Sequence, residues 1–200
     1  PCRMTILGDK AQTMEEKNQD VLAFLPKIFG KDIRRILMNK SYRNTVEIAS
    51  YANHLAGITD MELFERHGEP VEECTFEGKD SFEDALDEIA GKLQLGEEQF
   101  ETAALILRTE EEAKKAADRM KEKLEAAGFD IQNRFSYLHR DSTSFCKGLT
   151  VTTFYLAKGL EFDQVFALFP EKDQSVLAKQ GRYIAATRAL HRLHMYEYEN

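Results

Sequence analysis

Apolar positions along this chain fall into two alternating rhythms. Short apolar runs occur at Ala103 to Leu107, Leu149 to Thr153 and Val165 to Phe169, and mixed strand-like stretches at Val71 to Phe76 and Leu193 to Tyr198. Segments of this length predict strands, and the near-continuous apolar run Ala103 to Leu107 reads as a central parallel strand. Between the runs, apolar residues recur at helical spacing. Thr45 to Gly57 turns Val46, Ile48, Ala49, Ala52 and Leu55 inward and stops at Gly57. Ser81 to Leu95 is an acidic helix with Ser81 as its N-cap, and Thr109 followed by three glutamates starts a helix that Gly128 ends. A further helix spans Ser175 to Leu190, and Glu15 to Phe29 is helical with breaks at Pro26 and Gly30. Arg3 to Leu7, Ile33 to Met38 and an edge strand at Phe129 to Phe135 complete the expected elements. Strands alternating with helices of this length predict an α/β fold: a doubly wound, mostly parallel sheet with helices on both faces.

Composition changes this picture little. The 200 residues are 42% hydrophobic and 31% charged, enough for one large domain, or one domain carrying a short piece of another. The start, Pro1-Cys2-Arg3-Met4-Thr5, has neither an initiator Met nor a signal-peptide pattern, so the chain reads as part of a longer cytoplasmic protein. Three widely spaced cysteines (Cys2, Cys74, Cys146) and five scattered histidines form no metal-ligand or disulfide pattern.

Charge is more informative by position than in total. The net value is −8, yet Lys and Arg exceed Asp and Glu by 9 to 7 in residues 1–60 and again in 131–200, while 61–130 carries 9 against 21. The acidity lies in the middle third, and both ends remain compatible with a nucleic-acid surface.

The densest chemistry lies between two apolar runs, in Thr152-Thr153-Phe154-Tyr155-Leu156-Ala157-Lys158-Gly159-Leu160-Glu161-Phe162-Asp163. It reads as strand, tight turn and strand, with Lys158, Glu161 and Asp163 held at the turn. This block resembles motif V of the superfamily 1 helicases of the UvrD/Rep type, roughly T-x-H-x-A-K-G-L-E-F-D. Downstream, Arg182-Tyr183-Ile184-Ala185-Ala186-Thr187-Arg188-Ala189-Leu190 resembles motif VI, with its T-R-A core. Gly8-Asp9-Lys10-Ala11-Gln12 is similar to motif III (G-D-x-x-Q), and Asn39-Lys40-Ser41-Tyr42-Arg43-Asn44-Thr45 to motif IV (N-Y-R-S).

The resemblance implies a RecA-like P-loop NTPase fold and a division of roles. Arg188 would be the arginine finger, Arg43 a second phosphate ligand beside a helix start, and Gln12 a γ-phosphate sensor. Glu161 would accept from ribose hydroxyls, and Gly159 would let the loop approach the nucleotide closely. Thr152 and Thr153 would donate to a nucleic-acid backbone, and Tyr155, standing where the family carries His, would stack on a base. ATP with Mg²⁺ is the implied cofactor, and single-stranded or partly duplex DNA the implied partner.

The Walker A sequence G-x-x-x-x-G-K-S/T is absent from the chain, as is the Asp-Glu pair of motif II. By this resemblance residues 1–12 are a terminal strand and motif III carried over from a preceding motor domain, whose Mg²⁺ ligands are not in this sequence. Residues 13–200 are the second, 2A-type domain, inactive by itself. About two dozen residues separate Ala127 from Leu149, where UvrD and Rep carry a 2B insertion, and Gln12 is not followed by Q-S-I-Y. Both departures point to the helicase IV branch with its HelD-type proteins. The alternatives are therefore an ATP-driven remodeller of RNA polymerase complexes, or a non-catalytic nucleotide-binding scaffold.

Overall fold

The computed structural model describes residues 4–9, 12, 21–30, 33–95, 100–142 and 146–199. Its strands are β1 (Lys40–Ser41), β2 (Glu62–Leu63), β3 (Glu72–Phe76), β4 (Thr102–Leu107), β5 (Phe135–Tyr137), β6 (Gly148–Thr153), β7 (Phe162–Pro170) and β8 (Ala189–Tyr198). The helices are α1 (Val21–Phe29), α2 (Val46–Ala56), α3 (Ser81–Leu95), α4 (Glu110–Ala126), α5 (Ile131–Arg134), α6 (Phe154–Ala157) and α7 (Val176–Ala186). Six strands form one sheet in the order β3-β8-β7-β4-β6-β5, every pairing parallel, while β1 and β2 make a small parallel ladder apart from it.

Parallel neighbours cannot be joined by tight turns, so each connection crosses a sheet face and buries it. Side chains alternate across a strand. Leu105 and Leu107 of β4 accordingly pack with α3 and α4 residues such as Leu86, Ile89, Ala116 and Met120. Ala104 and Ile106 face the other way, towards Ile48 of α2, Phe154 of α6 and Ile184 of α7. Thr109 and Glu112 form a complete capping box at α4, and Thr45 caps α2, which ends at Gly57 in the left-handed region.

Several expected elements differ. Residues 4–7 and 33–38 are not strands: Leu7 and Met38 stand 83% and 84% exposed, and no strand among the described residues pairs with either segment. An apolar run becomes a strand only where a partner takes its N–H and C=O groups. Phe129 to Phe135 is mostly helix α5, and the edge strand begins only at Phe135. Pro26 lies inside α1 rather than ending it, and the expected residues 15–20 of that helix lie outside the described residues. Ser81 is not a cap but the first helical residue, its hydroxyl donating 2.9 Å to the Glu199 carbonyl. The final helix stops at Ala186, four residues short of the expected end. Cys74 and Cys146 are free thiols, and Cys2 lies outside the described residues.

One buried polar relay ties the sheet edge together. His194 of β8 stacks on Phe166 and lies 3.0 Å from the Glu72 carboxylate through Nδ1 and 2.9 Å from the Gln164 amide nitrogen through Nε2. An amide nitrogen only donates, so Nε2 accepts and Nδ1 carries the proton. Burial lowers the His194 pKa from 6.5 to about 4, outweighing the nearby Glu72 carboxylate. The folded pKa lies below the unfolded one. His194 thus leaves stability intact above pH 6.5 and takes it away as pH falls through 6.5 towards 4, about 1.4 kcal/mol per pH unit at most. Urea unfolding between pH 7.5 and 5 should show this slope, and His194→Leu should flatten it.

Close approach imposes a second constraint. Gly148, at φ +113°, opens β6 directly beside the Arg134 main chain, and a Cβ there would collide with the Arg134 carbonyl. Gly148→Ala should therefore cost about 3 kcal/mol. A loss below about 1 kcal/mol in urea unfolding would contradict the close packing of α5 on β6.

Candidate functional site

β7 and β8 are parallel neighbours with Phe162 opposite Ala189, so the residues just before each strand share one end of the sheet. These residues are Glu161 and Arg188, and the Phe162 N–H donates to the Arg188 carbonyl over 3.0 Å. α2 starts at the same end and brings Arg43, whose Nε lies 2.6 Å from Glu161 Oε1 with both side chains a little over 40% exposed. Three segments far apart in sequence thus meet at the amino-terminal ends of β7 and β8. The general expectation for open α/β sheets puts ligands at carboxyl ends, and here the crossovers deliver the charged residues to the opposite edge.

Arg188 is 2% exposed. Its Nε donates to Ile184 O at 3.2 Å, Nη1 to Leu160 O at 3.2 Å and Nη2 to Thr187 Oγ1 at 2.9 Å. Burial, then the neighbouring Arg43 charge, lowers its pKa, while Glu161, Tyr183 and Asp9 act in the opposite sense. A guanidinium remains charged regardless, so the site holds a desolvated cation beside a solvated Arg43–Glu161 pair. Burial also raises the Tyr183 hydroxyl, with Asp9 adding to the rise. The Asp9 carboxylate therefore acts electrostatically on both Tyr183 and Arg188.

The loop before Glu161 completes the group. Gly159 adopts φ +91°, a conformation that side-chain-bearing residues rarely take. Lys158 Nζ donates over 3.0 Å to the Gln12 main-chain carbonyl. Gln12 and Gly159 are thus brought to the same corner as Arg43, Glu161 and Arg188. The two threonines are not presented to solvent. Thr152 is fully buried and donates to Leu138 O over 3.0 Å, and Thr153 is buried at the start of α6. Tyr155 is 39% exposed, its ring 4.0 Å from that of Phe154. The segment between Thr153 and Lys158 is helix α6, not the tight turn expected between two strands.

Asn44 and Arg66 also belong to this corner: Asn44 follows Arg43 in the Asn39 to Thr45 block, whose resemblance gave it no role, and Arg66 lies outside all four blocks. Their partners are main-chain carbonyls, with separations of up to 145 residues for Asn44 and 124 for Arg66. Tyr42, next to Arg43, offers an exposed ring with Phe64 at 5.8 Å and the Lys40 ammonium 5.5 Å over its face. Among the described residues no three His, Cys, Asp or Glu side chains converge to hold a metal ion.

No family model and no curated protein matches the chain. Among solved structures, the C-terminal domain of a possible DNA helicase from Lactobacillus plantarum WCFS1 is 22% identical with a TM-score of 0.57, over 79% of this chain and 88% of that one. Saccharomyces cerevisiae Dbp5 bound to RNA and ADP BeF3 is 16% identical at TM-score 0.47, over 94% of this chain and 51% of that one. The first superposition shows that the chain has the RecA-like α/β fold, and at 22% identity it speaks for the fold alone.

The half-exposed Arg43–Glu161 pair is screened by water, so Glu161→Gln should change stability by under about 1 kcal/mol. Arg188→Ala should cost about 2 kcal/mol or more, because it strands buried carbonyls as well as removing a buried side chain. Urea unfolding of the two variants checks the ordering, and equal losses would contradict the contrast in burial.

Proposed function

We propose that this chain is the second RecA-like domain of an ATP-dependent superfamily 1 DNA helicase or translocase. The observation that carries the reading is the convergence of Arg43, Glu161 and Arg188 at one sheet end, with Gln12 tied to the same loop through Lys158. Two guanidiniums and a carboxylate within one corner suit a nucleoside triphosphate: planar cationic donors for phosphate oxygens, an acceptor-only group for sugar hydroxyls.

In this reading ATP supplies the phosphoryl group to be transferred and binds between this domain and a Walker A-bearing one, where its Mg²⁺ is also held. Arg43 swings from Glu161 to a phosphate, which frees Glu161 for the ribose. Arg188, already desolvated, would supply its charge where negative charge builds up during phosphoryl transfer. Gln12 serves as the γ-phosphate sensor. Tyr155 and the exposed ring of Tyr42 offer flat surfaces on which a base can stack. With Thr152 committed to Leu138, the two threonines shape the strand-binding loop through its backbone and leave direct contact to Tyr155.

The test is ATPase activity of the full-length protein, with and without single-stranded DNA, beside Arg43→Ala and Arg188→Lys variants. DNA-stimulated hydrolysis that falls on the order of 10³-fold in Arg188→Lys and at least about tenfold in Arg43→Ala is the expected result. Hydrolysis indifferent to DNA but still dependent on both arginines would replace the helicase by the polymerase-remodelling reading. Hydrolysis unaffected by either substitution would overturn the site.

A further inference from the structure

The two arginines of the corner are held in register by a brace that neither of them contributes to with its own side chain. Asn44 is buried, and its Nδ2 donates to Thr187 O at 3.4 Å and to Ala189 O at 2.6 Å, the carbonyls on either side of Arg188. Two acceptor carbonyls require a donor between them, which fixes the amide orientation chemically. Arg66 closes the brace from the other side. Its Nη2 donates to the Arg43 carbonyl and, over 2.8 Å, to Leu190 O, while its own carbonyl accepts from Val46 N–H at 2.9 Å.

The brace sits on an irregularity of the sheet. Between β7 and β8 the register moves from Phe162–Ala189 to Gln164–Arg192, one extra residue on β8. A bulge interrupts the ladder and turns main-chain groups out of it. Asn44 and Arg66 supply donors to Ala189 O and Leu190 O at this interruption.

We propose that Asn44 and Arg66 are positioning residues that fix the separation between Arg43 and Arg188, so that the corner engages a polyphosphate as a single preset unit. This rests on the reading of Arg43 and Arg188 as phosphate ligands. Loop-borne arginines at the start of a helix and between a helix and a strand would otherwise move independently, and misplacement by about 1 Å can cost on the order of 10²-fold in rate. Every side-chain link of the brace ends on a main-chain carbonyl. It therefore sets the position of the arginines without consuming their donors.

Two measurements separate this proposal from the reading beneath it. The first uses the 200-residue chain and no nucleotide: the Arg188 Nε–H resonance in ¹⁵N NMR, assigned by its loss in Arg188→Lys. Asn44→Ala and Arg66→Lys should each shift this resonance and speed its exchange with solvent. Far-UV circular dichroism and the amide signals of α4, remote on the other sheet face, should stay unchanged. An Arg188 resonance unaltered in both variants would overturn the brace, whatever the ATPase assay says. The second measurement is steady-state hydrolysis by the full-length protein. Arg66→Lys replaces the planar guanidinium by a shorter ammonium of different geometry and tests the brace should Asn44→Ala fold poorly; it should lower kcat on the order of tenfold with KM for ATP within about twofold. Unchanged kcat in Arg66→Lys, alongside a shifted resonance and intact dependence on Arg43 and Arg188, would sink the positioning role while leaving the phosphate reading in place.

Discussion

Burial of β4 on both faces and both edges is the constraint from which the remaining architecture follows. Its last four residues are fully buried, with β6 on one side and β7 on the other, all parallel. A backbone so enclosed has no water to bond, so every peptide group must find a neighbouring strand. Parallel neighbours in turn require crossovers, and the crossovers place α3 and α4 on one face and α2, α6 and α7 on the other. Each crossover returns the chain to the amino end of the sheet before the next strand begins. That return delivers Glu161 and Arg188 to the same end of the sheet, although 26 residues of sequence lie between them.

The site uses solvation as much as position. Arg188 gives up water for three internal acceptors, while Arg43 and Glu161 remain half in solvent and satisfy one another. A desolvated cation exerts a stronger field than a hydrated one, and a screened ion pair is easily exchanged for another partner. The corner thus combines a fixed charge with a replaceable contact. That combination suits a site which must bind a polyphosphate and also release it.

The molecule also divides into a tightly consistent part and a loosely attached one. From Asn44 onward, pattern, capping and packing agree: Thr45 and Thr109 cap, Gly57 stops a helix, and the apolar runs become the buried strands. The described residues 4–9, 21–30 and 33–38 instead expose Met4, Leu7, Ile36, Leu37 and Met38. Their apolarity is real, but nothing among the described residues covers it, and secondary structure follows the partner rather than the run.

By itself the sequence determined the elements whose rhythm is local. Periodicity, caps and apolar runs mark five of the six sheet strands and the four long helices from α2 onward, because burial on one face or two leaves a direct imprint on residue spacing. It also singled out Arg43, Glu161 and Arg188, since their neighbours form recognisable blocks. Tertiary structure alone decided which residues meet. The carbonyl partners of Asn44 and Arg66, the bulge between β7 and β8, and the commitment of Thr152 to Leu138 depend on contacts across the fold, and no local spacing encodes them. The same holds for the runs at residues 4–7 and 33–38, where composition indicated strands and no neighbour among the described residues pairs with the exposed chain. A hydrogen bond to a main-chain carbonyl is blind to the identity of the residue that offers it. That is why the sequence does not show which carbonyls Asn44 and Arg66 hold, and the brace appears only once the chain is folded.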